Sequence, residues 1–143
     1  MFHISLALLT ALAVSILLPV EPASVCLEGH PSVEKEYRRS FAVVIGHAVA
    51  ERAVSESKNY LDGTTYSVRV DEVLRGHPPD TLDVFSENSS GRFPMDVGSK
   101  YLLFLYRALD RTVVDNCGNS GLLSESASAL ETIRGLQLKS GHR

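Results

Sequence analysis

Residues 40–54 read SFAVVIGHAVAERAV, and this segment constrains the fold more than any other. Drawn as an extended strand, it places Phe41, Val43, Ile45 and Val49 on one face and Ala42, Val44, Gly46 and Ala48 on the other. Both faces are apolar or small, so the strand has no side to give to water. It must be covered on both faces or bent within a closed barrel. Gly46 permits the sharp bend or close backbone approach that such a barrel needs. His47 falls among the apolar positions and is read as a satisfied core or rim histidine, not a ligand. KYLLFLY, residues 100–106, is the second strand that is apolar on both faces.

The remaining segments fit around these two. HPSVEKEYRRS, residues 30–40, opens with a helix start at Pro31-Ser32. It sets Val33 and Tyr37 four apart and places Glu34 four before Arg38, which predicts a short helix. Its charges, Glu34, Lys35, Glu36, Arg38 and Arg39, read as a solvated helix face. TTYSVRVDEVLRG, residues 64–76, alternates through Tyr66, Val68 and Val70 until Val73 falls out of phase, which predicts a bulge or bend near Asp71 and Glu72. A turn at HPPD precedes a third strand with Leu82 and Val84 inward. Residues 88–99 are rich in turn formers and read as a loop without a helix. RTVVDNC, residues 111–117, follows a turn at Leu109-Asp110. Ser124 is expected to cap a last helix carrying Ala127, Leu130, Ile133 and Leu136 on one side. The expected order is helix, five strands, helix.

The first 24 residues have the layout of a secretory signal peptide: ISLALLTALAVSILLPV carries no charge and is followed by a polar, turn-rich stretch. Ala23 and Ser24 are the candidate cleavage positions, and an uncleaved anchoring helix is the alternative. Removing residues 1–24 of 143 leaves 119, enough for one domain over residues 25–143, and takes the formal charge from −3 to −2 with the loss of Glu21. The expected location is secreted or periplasmic, as a monomer with no stable membrane span. Two cysteines in an oxidising compartment allow one disulfide, Cys26 to Cys117; two buried thiols are the alternative. A metal site is not expected, because neither cysteine has a second ligand at short spacing.

Five bent strands with flanking helices predict a mainly β fold, a five-stranded barrel of the oligonucleotide/oligosaccharide-binding (OB) type. The runs FAVVIGHAV, YSVRVDEVLRG, VGSKYLLFLY and VDNCGNSGLLSESASALETI resemble, in that order, the netrin-like barrels related to the tissue inhibitors of metalloproteinases, in their reduced bacterial form. The resemblance covers nearly the whole chain after the leader. In that family an N-terminal cysteine chelates the protease zinc through its α-amine and carbonyl. Only Cys26 could carry that role here, with Cys117 as its anchor. The chain departs from the pattern in having one disulfide where full inhibitors have several. It also departs in having Val25 before Cys26, a residue that signal peptidase disfavours.

The resemblance therefore implies a protein-binding module first, with metalloprotease inhibition and oligonucleotide or oligosaccharide binding as alternatives. Catalysis is not expected. There is no His-Glu-x-x-His, Gly-x-Ser-x-Gly or phosphate-cradling glycine loop, and no cofactor is implied. Asp71 and Glu72 are neighbours that would point to opposite faces of a strand and cannot share a proton. A nucleic-acid partner is not expected either, since the net charge is negative and no basic stripe is visible, although Tyr66 and Tyr101 could stack bases.

Overall fold

A computed structural model describes residues 26, 27, 29–55 and 62–140; the leader and its cleavage positions lie outside them. Helix α1 spans Val33–Arg39 and α2 spans Ala127–Ser140. Between them run β1 (Ala42–Val54), β2 (Gly63–Arg75), β3 (Thr81–Glu87), β4 (Lys100–Ala108), β5 (Arg111–Val114) and a two-residue β6 (Gly121–Leu122). The sheet order is β1-β2-β3-β5-β4-β6, and β1 also pairs with β4, so five strands are hydrogen-bonded in a ring. All contacts are antiparallel except β3–β5, which touch in parallel at Phe85 and Val113. The short β6 against β4 adds a sixth strand to the expected five.

The double-faced strands form the wall between two cores. On the inner side, Ala42, Val44 and Ala48 of β1 meet Tyr101, Leu103 and Leu105 of β4, together with Tyr66, Val68, Leu82 and Val84. On the outer side, Val43 and Ile45 of β1 and Leu102 and Phe104 of β4 pack with Ile133 of α2, against Val33 and Tyr37 of α1. Leu102, Leu103, Phe104 and Leu105 are all fully buried. Each such side chain taken from water contributes about 1.5–3 kcal/mol, so α1 and α2 are held chiefly by the outer faces of these two strands.

The phase slip in β2 is a pair of bulges. Val43 pairs with Arg75 and Val44 with Val73, which leaves Leu74 extra; Ile45 pairs with Glu72 and Gly46 with Val70, which leaves Asp71 extra. The bulge turns Leu74 into the outer core under the helices, at 3% exposure, while Val73 stays exposed. Tyr37 Oη and Gln137 Nε2 donate to the Leu74 carbonyl at 2.9 and 2.8 Å, so one bulge docks both helices.

Four positions differ from the sequence reading. Val49 is exposed because it is the extra residue of a third register shift, between Ala48 and Ala50. Phe41 packs with the inner core, not beside Val43, because it precedes the first strand residue and escapes the alternation. Residues 88–99 form the expected helix-free loop, yet Met95 is buried in the inner core and Phe93 meets Tyr101 edge-on at 6.2 Å. The last helix begins after Ser126 and not Ser124, because residues 123–125 form a 3-10 turn.

His47 is a rim histidine: Nε2 donates to the Gly98 carbonyl at 2.9 Å and Nδ1 accepts from Arg69 at 3.3 Å. Gly46 meets the sequence expectation. A Cβ there would lie 2.5 Å from Val68 Cγ1, inside the inner core. Gly46→Ala should therefore lose about 1–3 kcal/mol to overpacking. Gly135→Ala on α2, where a Cβ meets nothing within 4 Å, should gain roughly 0.5–1 kcal/mol of helix propensity. Urea denaturation of both variants measures the contrast; equal midpoints would contradict this packing.

Candidate functional site

The site residues anticipated from sequence, Cys26 and Cys117, are joined in a disulfide with a Cα–Cα distance of 5.6 Å and a sequence separation of 91. Among the described residues no cysteine is free. Closing a loop of that length removes unfolded-chain entropy worth roughly 4–5 kcal/mol. In the folded chain the bond fixes the segment before α1 against the turn after β5.

Local chemistry builds that turn. Asp115 Oδ1 accepts from the Cys117 amide at 2.9 Å and the Asp115 carbonyl accepts from Gly118 at 3.0 Å, so an Asx-type turn presents Cys117 to Cys26. His30 Nδ1 donates to the Cys117 carbonyl at 2.9 Å, which stitches the arriving segment to the same turn. Gly118 lets the turn pack directly on Glu36: a Cβ there would displace the Glu36 carboxyl and come within 3.1 Å of the Asp115 carbonyl oxygen.

Glu36 is the residue that sequence reasoning misplaced. It is not part of a solvated face: its exposure is 1%. Helical spacing explains the position, since Val33, Glu36 and Tyr37 lie three and four apart and share the face that meets the strands. Glu36 Oε2 accepts from the Asn119 backbone amide and from Asn119 Nδ2, both at 2.6 Å, and Nδ2 also reaches the Pro31 carbonyl at 2.9 Å. Oε1 is buried without a hydrogen-bond partner. Burial pushes the Glu36 carboxyl above its ordinary range, although the bonds from Asn119 pull it back in part. The Tyr106 hydroxyl is pushed up as well, by burial first and then by the charge on Glu36. The only hint in the sequence was the shared spacing of Glu36 with Val33.

These groups line an open cleft of about 690 Å³ under the disulfide. Lys35, Arg39 and Asp115 also line it, as does Leu27, with 92% of its surface exposed. The arrangement offers an apolar tip, mixed charge and a rigid covalent anchor. Among the described residues no group of three His, Cys, Asp or Glu could hold a metal ion. Asp71 and Glu72 go to different partners. Lys100 binds Asp71 at 2.9 Å and, helped by Arg69, holds its carboxyl below the usual value, while Glu72 faces Arg134.

Glu36 sets a pH dependence with a definite sign. Its raised carboxyl binds a proton more tightly folded than unfolded, so its contribution is complete below the ordinary glutamate value and is lost as pH rises through the folded value. Glu36→Gln keeps an acceptor for Asn119 and cannot ionise. Its stability relative to the parent, measured by denaturant titration across acid to neutral pH, is expected to rise with pH. A difference that falls with pH would show the carboxylate to be favoured in the folded chain.

In comparisons with known proteins, no family model matches the chain, and no curated protein matches it at a significant level.

Proposed function

We propose that the chain is an exported, monomeric netrin-like module, built on an OB barrel, that works by binding a protein through the corner at Cys26. The observation that carries this reading is the anchored corner itself. An exposed Leu27 follows a cysteine bonded to the turn after β5 and lines a cleft with charges of both signs. Aromatic and apolar anchors ringed by polar groups are what protein interfaces use at their centres. The ring order β1-β2-β3-β5-β4, with its single parallel contact, supports the OB reading. The disulfide supports export. No helix among the described residues is long and apolar enough to cross a membrane.

A second reading, inhibition of a zinc protease, is favoured by one feature: Cys26 is rigidly held and the side chain after it is exposed. It requires a chain that begins at Cys26, since only then are the α-amine and carbonyl both available to chelate. Intact mass of the exported protein separates the readings. A start after Ala23 or Ser24, with no titratable thiol, is expected for the binding module. A start at Cys26 would shift the assignment to the inhibitor, an unprocessed chain would show the leader to be an uncleaved anchor, and two free thiols would contradict the disulfide-anchored corner. A photocrosslinker placed at Lys35, inside the corner, should capture a protein that one placed at Val73, outside it, does not. Equal capture, or none from either, would refute the corner as the contact surface.

A further inference from the structure

The exposed charges of α1 are Glu34, Lys35, Arg38 and Arg39, and the chain uses them unequally. Arg38 is paired with Glu34 at 2.6 Å. Arg75, which reaches the helix from β2, donates to the Ser40 and Arg38 carbonyls at 3.1 and 3.3 Å. Lys35 and Arg39 are different: among the described residues neither side chain has a hydrogen bond or an ion pair. Residues four apart on a helix are neighbours on one face, so the two cations stand together. Both line the corner cleft, and both line a second cleft of about 410 Å³ with Ser32, Glu34 and Arg38. Like charges at this spacing repel, so the helix gains nothing from holding them side by side.

The anions of the corner are committed elsewhere. Glu36 is 1% exposed, and its Oε2 takes both bonds from Asn119. Burial also holds its carboxyl above the ordinary range, which lowers the negative charge it can offer. Asp115 Oδ1 holds the Cys117 amide at 2.9 Å. The negative groups thus build the turn, while Lys35 and Arg39 have nothing to meet within the described chain. Leu27, almost wholly exposed, lines the same cleft as the two cations.

We propose that the corner selects an acidic segment of its protein partner, with carboxylates set against Lys35 and Arg39 and an apolar side chain against Leu27. This rests on the reading of the corner as a protein-contact surface and adds the chemistry of what it contacts. An arginine fork takes a carboxylate in two parallel bonds, and a lysine meets another as a point charge. Complementary charge of this kind chooses the partner and speeds encounter more than it adds affinity, and an apolar contact within a polar surround supplies the remainder.

The probe is the capped peptide Glu-Glu-Leu-Glu-Glu, titrated into the exported protein at low ionic strength while backbone amide resonances are followed. Saturable shifts are expected at Leu27, Lys35 and Arg39, with none from Lys-Lys-Leu-Lys-Lys. Lys35→Gln and Arg39→Gln should each weaken the acidic peptide by about 2–5-fold, the range of an exposed charge pair, while Lys139→Gln at the end of α2 should have no effect. Binding should also weaken as salt is raised to about 0.15 M, where exposed charges are screened beyond roughly 8 Å. None of these three side chains is bonded within the described chain, so the variants keep the fold. Unchanged affinity in both corner variants, equal binding of the lysine peptide, or shifts as large at Lys139 would overturn the proposal. Binding of phosphatidylglycerol vesicles that is lost in the double variant, without binding of the peptide, would overturn it too and assign the pair to a lipid surface. Capture of a protein by the corner photocrosslinker with no binding of the acidic peptide would overturn the acidic preference and leave the reading of the corner in place.

Discussion

The pairing of β1 with β4 is the constraint on which the rest of the molecule depends. Six consecutive residues of β1, Ala42 to His47, face Leu105 to Lys100 of β4 in unbroken register. That contact closes the strand ring, and it also makes a wall with a core on each side. Inward alternation supplies Val44, Ala48, Leu103 and Leu105 to the ring interior; outward alternation supplies Val43, Ile45, Leu102 and Phe104 to the helices. Neither core could form if either strand had a polar face, because an unpaired buried polar group costs more than the packing around it returns.

The corner at Cys26 is an extension of that wall. Tyr106 continues β4 into the cleft, α1 reaches it through Glu36, and Asn119 joins α1, the segment at Pro31 and the turn that carries Cys117. The disulfide adds a covalent tie to a polar network that already fixes direction. Glu36 is the weak member: a carboxylate buried with one oxygen unpartnered stabilises the corner less as it ionises. Away from the corner, Arg107 covers the Phe41 ring and Arg111 the Phe85 ring.

Much of the frame was legible because backbone period is a local property. The double alternation in residues 40–54 and 100–106 required two covered faces, and the misplaced Val73 marked the double bulge that now docks both helices through Leu74. The single cysteine pair left no choice of partner. What could not be read depends on neighbours far apart in the chain. Glu36 looks like a surface charge until Asn119, 83 residues away, is placed against it. Met95 lies in a stretch of turn formers and is buried only because the loop folds back over the ring.

Native-state hydrogen exchange tests the central claim most directly. If the β1–β4 wall holds both cores, the amides of Val43, Val44, Ile45, Leu102, Leu103 and Leu105 should exchange only through global unfolding and be the slowest in the molecule. The β2–β3 amides should open at lower free energy. Slower exchange in β2–β3 than in β1–β4, or separate opening of β1 from β4 below the global value, would contradict a structure organised around that pairing.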